Sequence, residues 1–82
     1  MLVLVPHPAE CTYFAGYTVQ ENADHEGDDL GASWSGAGAE AACTSNHFCV
    51  GFNSAGYFKS CIAKARFKSG ICLYTKMKGE TI

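Results

Sequence analysis

Five cysteines in a chain of 82 residues constrain this protein more than any other feature of its sequence. That is about threefold above ordinary usage, and such density marks small secreted domains. A chain this short buries only about 60 % of the surface it exposes when unfolded, so its core alone gives marginal stability. Domains of this size commonly add a staple: disulfides, a metal or a partner chain. The cysteines are Cys11, Cys43, Cys49, Cys61 and Cys72. One sulfur must be left over. Spacing alone fixes neither the pairs nor the leftover, because pairing four of five allows many connectivities.

Nine glycines and ten aromatic residues suit a loop-rich sheet protein better than a helix bundle. The segment TYFAGYTV (12–19) is β-branched and aromatic around Gly16 and reads as a strand, with room for a bulge. QENADHEGDDLG (20–31) is polar, is punctuated by Gly27 and Gly31, and reads as a loop. SGAGAEAACTSN (35–46) is the one helix candidate: Ser35 can cap it, and Ala37, Ala39, Glu40, Ala41 and Ala42 favour it. Alternation resumes in HFCVGFNS, GYFKSCIA and GICLYTK, three strands, with Asn53-Ser54-Ala55-Gly56 as a hairpin turn. The expected order is strand, loop, helix, then a meander, in one α+β domain. Ala42, Phe48, Val50, Phe52, Ile62 and Leu73 are expected in its core, and Trp34 is expected to be buried rather than offered to a ligand.

The N-terminal MLVLVPHPAEC has no basic residue and its apolar run stops at Pro6, so it does not read as a secretory signal. Any leader is expected to lie outside this sequence. No stretch approaches the roughly 20 apolar residues of a membrane span. Residues 1–58 carry seven acidic residues and no Lys or Arg, whereas 59–82 carry six basic residues against Glu80. Such polarity steers anionic ligands or favours head-to-tail contact between copies, unless folding interleaves the two halves.

The motif CTSNHFCVGF, with its C-x5-C spacing and a C-x-x-F strand after an Ala-rich helix, resembles the PAN/apple domain family. FKSC and ICLYTK match that family's last two cysteine positions, and EGDDLG resembles the short Gly-Asp-Leu loop before its helix. The likeness spans about residues 11–76 and implies a curved antiparallel sheet packed on one helix. It leaves 1–10 as an N-terminal arm or extra strand, 11–78 as the domain and 79–82 as a tail. The family's pairing of first with sixth, second with fifth and third with fourth cysteine implies Cys11–Cys72 and Cys43–Cys49. Where the family's first helix cysteine would stand, this chain has Ala39, so Cys61 is implied to be unpaired. It is expected to be a thiol buried against the Ala39 methyl or, failing that, an intermolecular bridge.

Other chemistries fit the residues less well. Cys43, His47, Cys49 and Cys61 lack the short paired spacings of a zinc site, so no metal is expected. His7, His25 and His47 are scattered and pair with no nucleophile in the sequence, so no catalysis and no cofactor are expected. NADHEGDDLGAS has oxygens at alternate positions and Gly27 at the sixth, but Ser33 stands where an EF-hand needs Glu. The basic, aromatic stretch YFKSCIAKARFKSG supplies the expected ligand-binding residues, Tyr57, Lys59, Lys64, Arg66 and Lys68. Its charges are too few and too mixed for nucleic acid. The resemblance implies a non-catalytic extracellular recognition or adhesion module for carbohydrate or protein. The alternative is a structural subunit that self-assembles into an oligomer or filament, with LVLVP as an arm that adds to a neighbour's sheet.

Overall fold

The computed structural model describes residues 10–77. Strands β1 (Tyr17–Asp24) and β2 (Asp29–Ala32) precede helix α1 (Gly36–Ser45), and β3 (Gly51–Asn53), β4 (Tyr57–Lys59) and β5 (Arg66–Lys76) follow it. The strands form one antiparallel sheet in the order β1-β5-β3-β4-β2, and α1 packs across β3 and β4. This is a small α+β domain with two disulfides. The apolar arm and the C-terminal tail lie outside the described residues.

The helix forms where its capping and propensity place it. Ser35 is extended, and its Oγ accepts the Gly38 N–H at 3.0 Å. At the other end the Asn46 N–H donates to the Cys43 carbonyl, and Asn46 Oδ1 accepts the Phe48 N–H at 2.8 Å, turning the chain out of the helix. Ala39 and Cys43, at i and i+4, form the buried stripe.

Two expectations about the strands are corrected. The polar segment 20–31 is not one loop, because its first half completes β1 and its last residues begin β2. Both strands lie at the sheet's edges with mostly exposed side chains, so they carry no apolar alternation to betray them. The last three strands are also no meander: after the β3–β4 hairpin, β5 crosses to the far side of β3 and pairs there with β1. Residues 12–16 precede the first strand instead of forming it.

Residues paired directly across strands point to one face. Tyr17, Val19, Tyr74, Lys76, Phe52 and Phe58 therefore share the face beneath the helix. Lys76 confirms the placement, since its Nζ donates to the Cys43 carbonyl at 2.6 Å and the Asn46 carbonyl at 3.2 Å, at the helix's negative end. Phe52 stacks on Tyr74 with ring centroids 4.5 Å apart, and Phe14 and Tyr17 meet it edge-on. Ala39, Cys43, Cys49 and Cys72 complete this core.

Phe52 and Leu73 are buried as expected, and Ala42 and Ile62 are half-buried. Phe48, Val50 and Trp34 are exposed, against expectation; Trp34 is fully so. Cys49 must point inward to reach Cys43, which turns its neighbours Phe48 and Val50 outward. Trp34 sits in the turn that leads to the Ser35 cap, where no layer covers it.

Gly51 sets the spacing of the central strands. A Cβ there would lie 2.3 Å from the Tyr74 carbonyl oxygen and 2.8 Å from Ile62 Cδ1. The Tyr74 carbonyl is backbone of β5, so it yields only if the strand moves. Gly51→Ala is therefore expected to destabilise the fold by about 3 kcal/mol, the upper part of the overpacking range, read as a lower denaturant midpoint without reductant.

Burial raises the pKa of the Tyr74 phenol, whose O–H donates to the Thr12 carbonyl at 2.7 Å. Tyr17 is likewise raised by burial, which outweighs its hydrogen bond with Thr44, and the Glu40 carboxylate adds to the rise. Both phenols ionise earlier in the unfolded chain, near pH 10, so the unfolded chain holds fewer protons above that point. Stability should hold up to about pH 10 and then fall as pH climbs through the folded values. Replacing both tyrosines by Phe should flatten that alkaline decline in urea titrations.

Candidate functional site

The bridges lie on the helix side. Cys11 is joined to Cys72 with Cα atoms 5.8 Å apart, and Cys43 to Cys49 at 5.1 Å. Cys61 is the free cysteine and is half-buried. It stands outside the core cluster that holds Ala39, so the expectation of a thiol packed on the Ala39 methyl is corrected. Its loop, between β4 and β5, faces the β1–β2 connection instead. A zinc set of Cys43, His47, Cys49 and Cys61 is also ruled out, because two of its sulfurs bridge each other. His47 packs edge-on against Phe48.

The second sheet face, turned away from the helix, gathers the polar residues. Lys59 and Tyr57 alternate with Phe58 and so point there together, opposite Asp29 and Ala32 of β2. Asn53 is buried and fully engaged. Its Nδ2 donates to Asp24 Oδ1 at 2.9 Å, and its Oδ1 accepts the N–H groups of Ala55 and Tyr57 at 3.1 Å each. One side chain thus fixes the hairpin turn and aims an acid from β1. Lys59, only 2 % exposed, donates from Nζ to the Gly27 carbonyl at 3.1 Å and to Asp29 Oδ1, and lies 5.7 Å from the Tyr57 ring centroid. A buried ammonium is tolerated only with such partners.

These groups floor a groove of about 270 Å³, walled by Tyr57 and Ile71 and rimmed by Glu26 and Lys68. A cavity of about 150 Å³ beside it adds Arg66 and Phe67, and one of about 470 Å³ adds His25, Cys61 and Lys64. Glu26 lines all three. Of the five residues expected to bind ligand, Tyr57, Lys59 and Lys68 meet in the groove. Lys64 and Arg66 line the larger cavity. Lys59 is buried in its ion pair and braces the site from beneath.

Sequence reasoning missed Asp24, Glu26, Asp29 and Asn53. The first three come from the segment read as a loop, and only the sheet register brings them opposite the basic hairpin. The charge halves interleave: Asp24 pairs with Arg66 across β1 and β5, and Asp29 with Lys59 across β2 and β4. The oxygens that suggested a calcium loop are engaged elsewhere, Asp29 with Lys59 and Asp28 with His25. The chain matches no family model, no curated protein and no solved structure.

Removing Asp29 would leave the Lys59 ammonium with the Gly27 carbonyl alone. Breaking a buried pair from one side costs about 3–5 kcal/mol, and the partial exposure of Asp29 reduces this by admitting water. Asp29→Ala is therefore expected to lower stability by about 2 kcal/mol in denaturant titrations. Lys59→Met, which fills the space without a charge to satisfy, should cost less.

Proposed function

We propose that the protein is a non-catalytic extracellular recognition module of PAN/apple-like architecture that binds carbohydrate in the groove on its second sheet face. The observation that carries this reading is the groove itself. An aromatic wall, Tyr57, stands beside a floor of fixed polar groups, and Glu26 and Lys68 on the rim have no hydrogen-bond partner among the described residues. Sugars present apolar ring faces and many hydroxyls, so they suit one aromatic surface with several free donors and acceptors around it. The floor is already satisfied by internal hydrogen bonds, so binding orders few additional groups. Two disulfides in so short a chain support an oxidising, extracellular setting. No helix among the described residues is long and apolar enough to cross a membrane.

Self-assembly is the second reading. The exposed rings of Trp34, Tyr13, Phe67 and Phe48 favour it, because aromatics are enriched at protein interfaces. Sedimentation of the purified chain separates the two, since a glycan module has no need to be more than a monomer.

On a glycan array the chain should bind a restricted set of sugars. Tyr57→Ala and Lys68→Glu should each weaken that binding at least about tenfold, or about 1.4 kcal/mol, and Lys68→Glu, at an exposed position, should do so without changing the denaturant midpoint. If the glycans are anionic, affinity should fall steeply with salt, because exposed charges are screened beyond about 8–10 Å. Binding indifferent to both substitutions would place the ligand elsewhere.

A further inference from the structure

The geometry points to a divalent transition-metal site, of zinc type, formed by His25, Asp28 and Cys61. One ligand atom from each of these residues lies within 4.8 Å of the other two. The residues come from two connections far apart in sequence: His25 and Asp28 lie between β1 and β2, and Cys61 between β4 and β5. The donor set is chemically coherent, since imidazole, thiolate and carboxylate are the three side-chain types that bind zinc. A neutral imidazole with one thiolate and one carboxylate balances the charge of a divalent ion.

The imidazole is oriented for this task by a group outside the cluster. His25 Nδ1–H donates to the Ala63 carbonyl at 2.7 Å, which fixes the ring and leaves Nε2 on Asp28. A metal-bound histidine is usually held in this way, by a carbonyl or carboxylate on its other nitrogen. Nε2 now lies 2.6 Å from Asp28 Oδ2, an arrangement that requires a proton between them. The ion would take that proton's place and displace the thiol proton of Cys61, releasing both to solvent.

The surrounding backbone holds the two connections together independently of the ligands. The Ser60 N–H donates to the Asp28 carbonyl at 2.9 Å, and Lys59 Nζ to the Gly27 carbonyl. Tetrahedral zinc places its ligand atoms roughly 3.3–3.8 Å apart, so His25 Nε2 and Asp28 Oδ2, now 2.6 Å apart across their shared proton, would part by somewhat under ~1 Å as the ion replaces it. Three protein ligands leave a fourth position open. His25 and Cys61 also line the cavity of about 470 Å³ together with Glu26, Lys64 and Arg66, which opens the site to solvent. A water from that cavity can fill the fourth position. The two cations oppose a bare ion, but they favour an anionic fourth ligand.

The sequence spacing gave no reason to join these residues, because the pairing of β1 with β5 and of β2 with β4 is what brings their loops together. Cys61 is available because the other four sulfurs are bridged to one another.

The test adds Co²⁺ or Zn²⁺ alone to the full chain with its disulfides intact. One Co²⁺ per chain should bind and give a near-ultraviolet thiolate-to-cobalt charge-transfer band, which Zn²⁺ abolishes by displacement. Cys61→Ser should remove the band entirely. His25→Gln and Asp28→Asn should each weaken binding by more than the roughly 10–100-fold that loss of an outer-shell partner costs. Asn is the suitable replacement at 28, because it tolerates the positive φ of 59° found there. In the unaltered protein, Zn²⁺ should slow alkylation of Cys61, and a chelator should restore it. Absence of the band with alkylation unchanged would overturn the site, as would a band that survives both His25→Gln and Asp28→Asn.

Discussion

The three residues of β3 carry the whole structure. Gly51, Phe52 and Asn53 are all buried in the middle strand of the sheet, and each meets a different demand. Gly51 lets β5 approach closer than any side chain would allow. Phe52 points to the helix and gathers Tyr74, Tyr17 and Phe14 around its ring. Asn53 points the other way and uses its amide to hold the hairpin turn and Asp24. Because a strand alternates faces at every residue, three positions suffice to serve strand spacing, core and candidate site. A one-residue slip would place Asn53 under the helix and Phe52 in the polar groove.

A core built on so few large side chains needs covalent help. The Cys11–Cys72 bridge ties the segment before β1 to β5, across 61 positions of chain, and such a loop restricts the unfolded state by about 4 kcal/mol. The Cys43–Cys49 bridge spans 6 positions and contributes about 2 kcal/mol on the same argument. It also sets direction, fixing where the chain leaves α1 and which of residues 48–50 turns inward. Phe48 and Val50 are left on the surface in consequence. Two apolar side chains that the sequence pattern assigned to the core are thus exposed by the geometry of one sulfur pair.

What was legible in the sequence is local, and what was not is the register. The helix at 36–45 follows from Ser35 and the alanines, and the turn at 53–56 from its small polar residues, because both are determined within a few residues. The strand content of 20–32 was hidden, since edge strands with exposed side chains look like polar loop until their partners are known. The ligand-binding expectation on 57–68 located half of the groove. The other half, Asp24 and Asp29 on the edge strands and Glu26 in the connection between them, was invisible for the same reason as those strands. The expected contact of Cys61 with Ala39 rested on a family pattern. In this fold the loop after β4 turns toward the β1–β2 connection instead.

In that connection an exposed site is held by hydrogen bonds between loops rather than by a core beneath it. Residues 25–28 and 60–65 have few apolar side chains to pack. They are joined instead by hydrogen bonds from Lys59 to the Gly27 carbonyl, from the Ser60 N–H to the Asp28 carbonyl, and from His25 to the Ala63 carbonyl. Each bond links backbone of one connection to backbone or side chain of the other, so the two loops behave as a unit. Lys59 belongs to both arrangements: it pins this junction and floors the groove. An ion entering between His25, Asp28 and Cys61 is expected to shift this junction and, through Lys59 and Asp29, the groove. The candidate metal position and the candidate sugar site are two ends of one hydrogen-bonded assembly, and occupation of one is expected to alter affinity at the other in both directions.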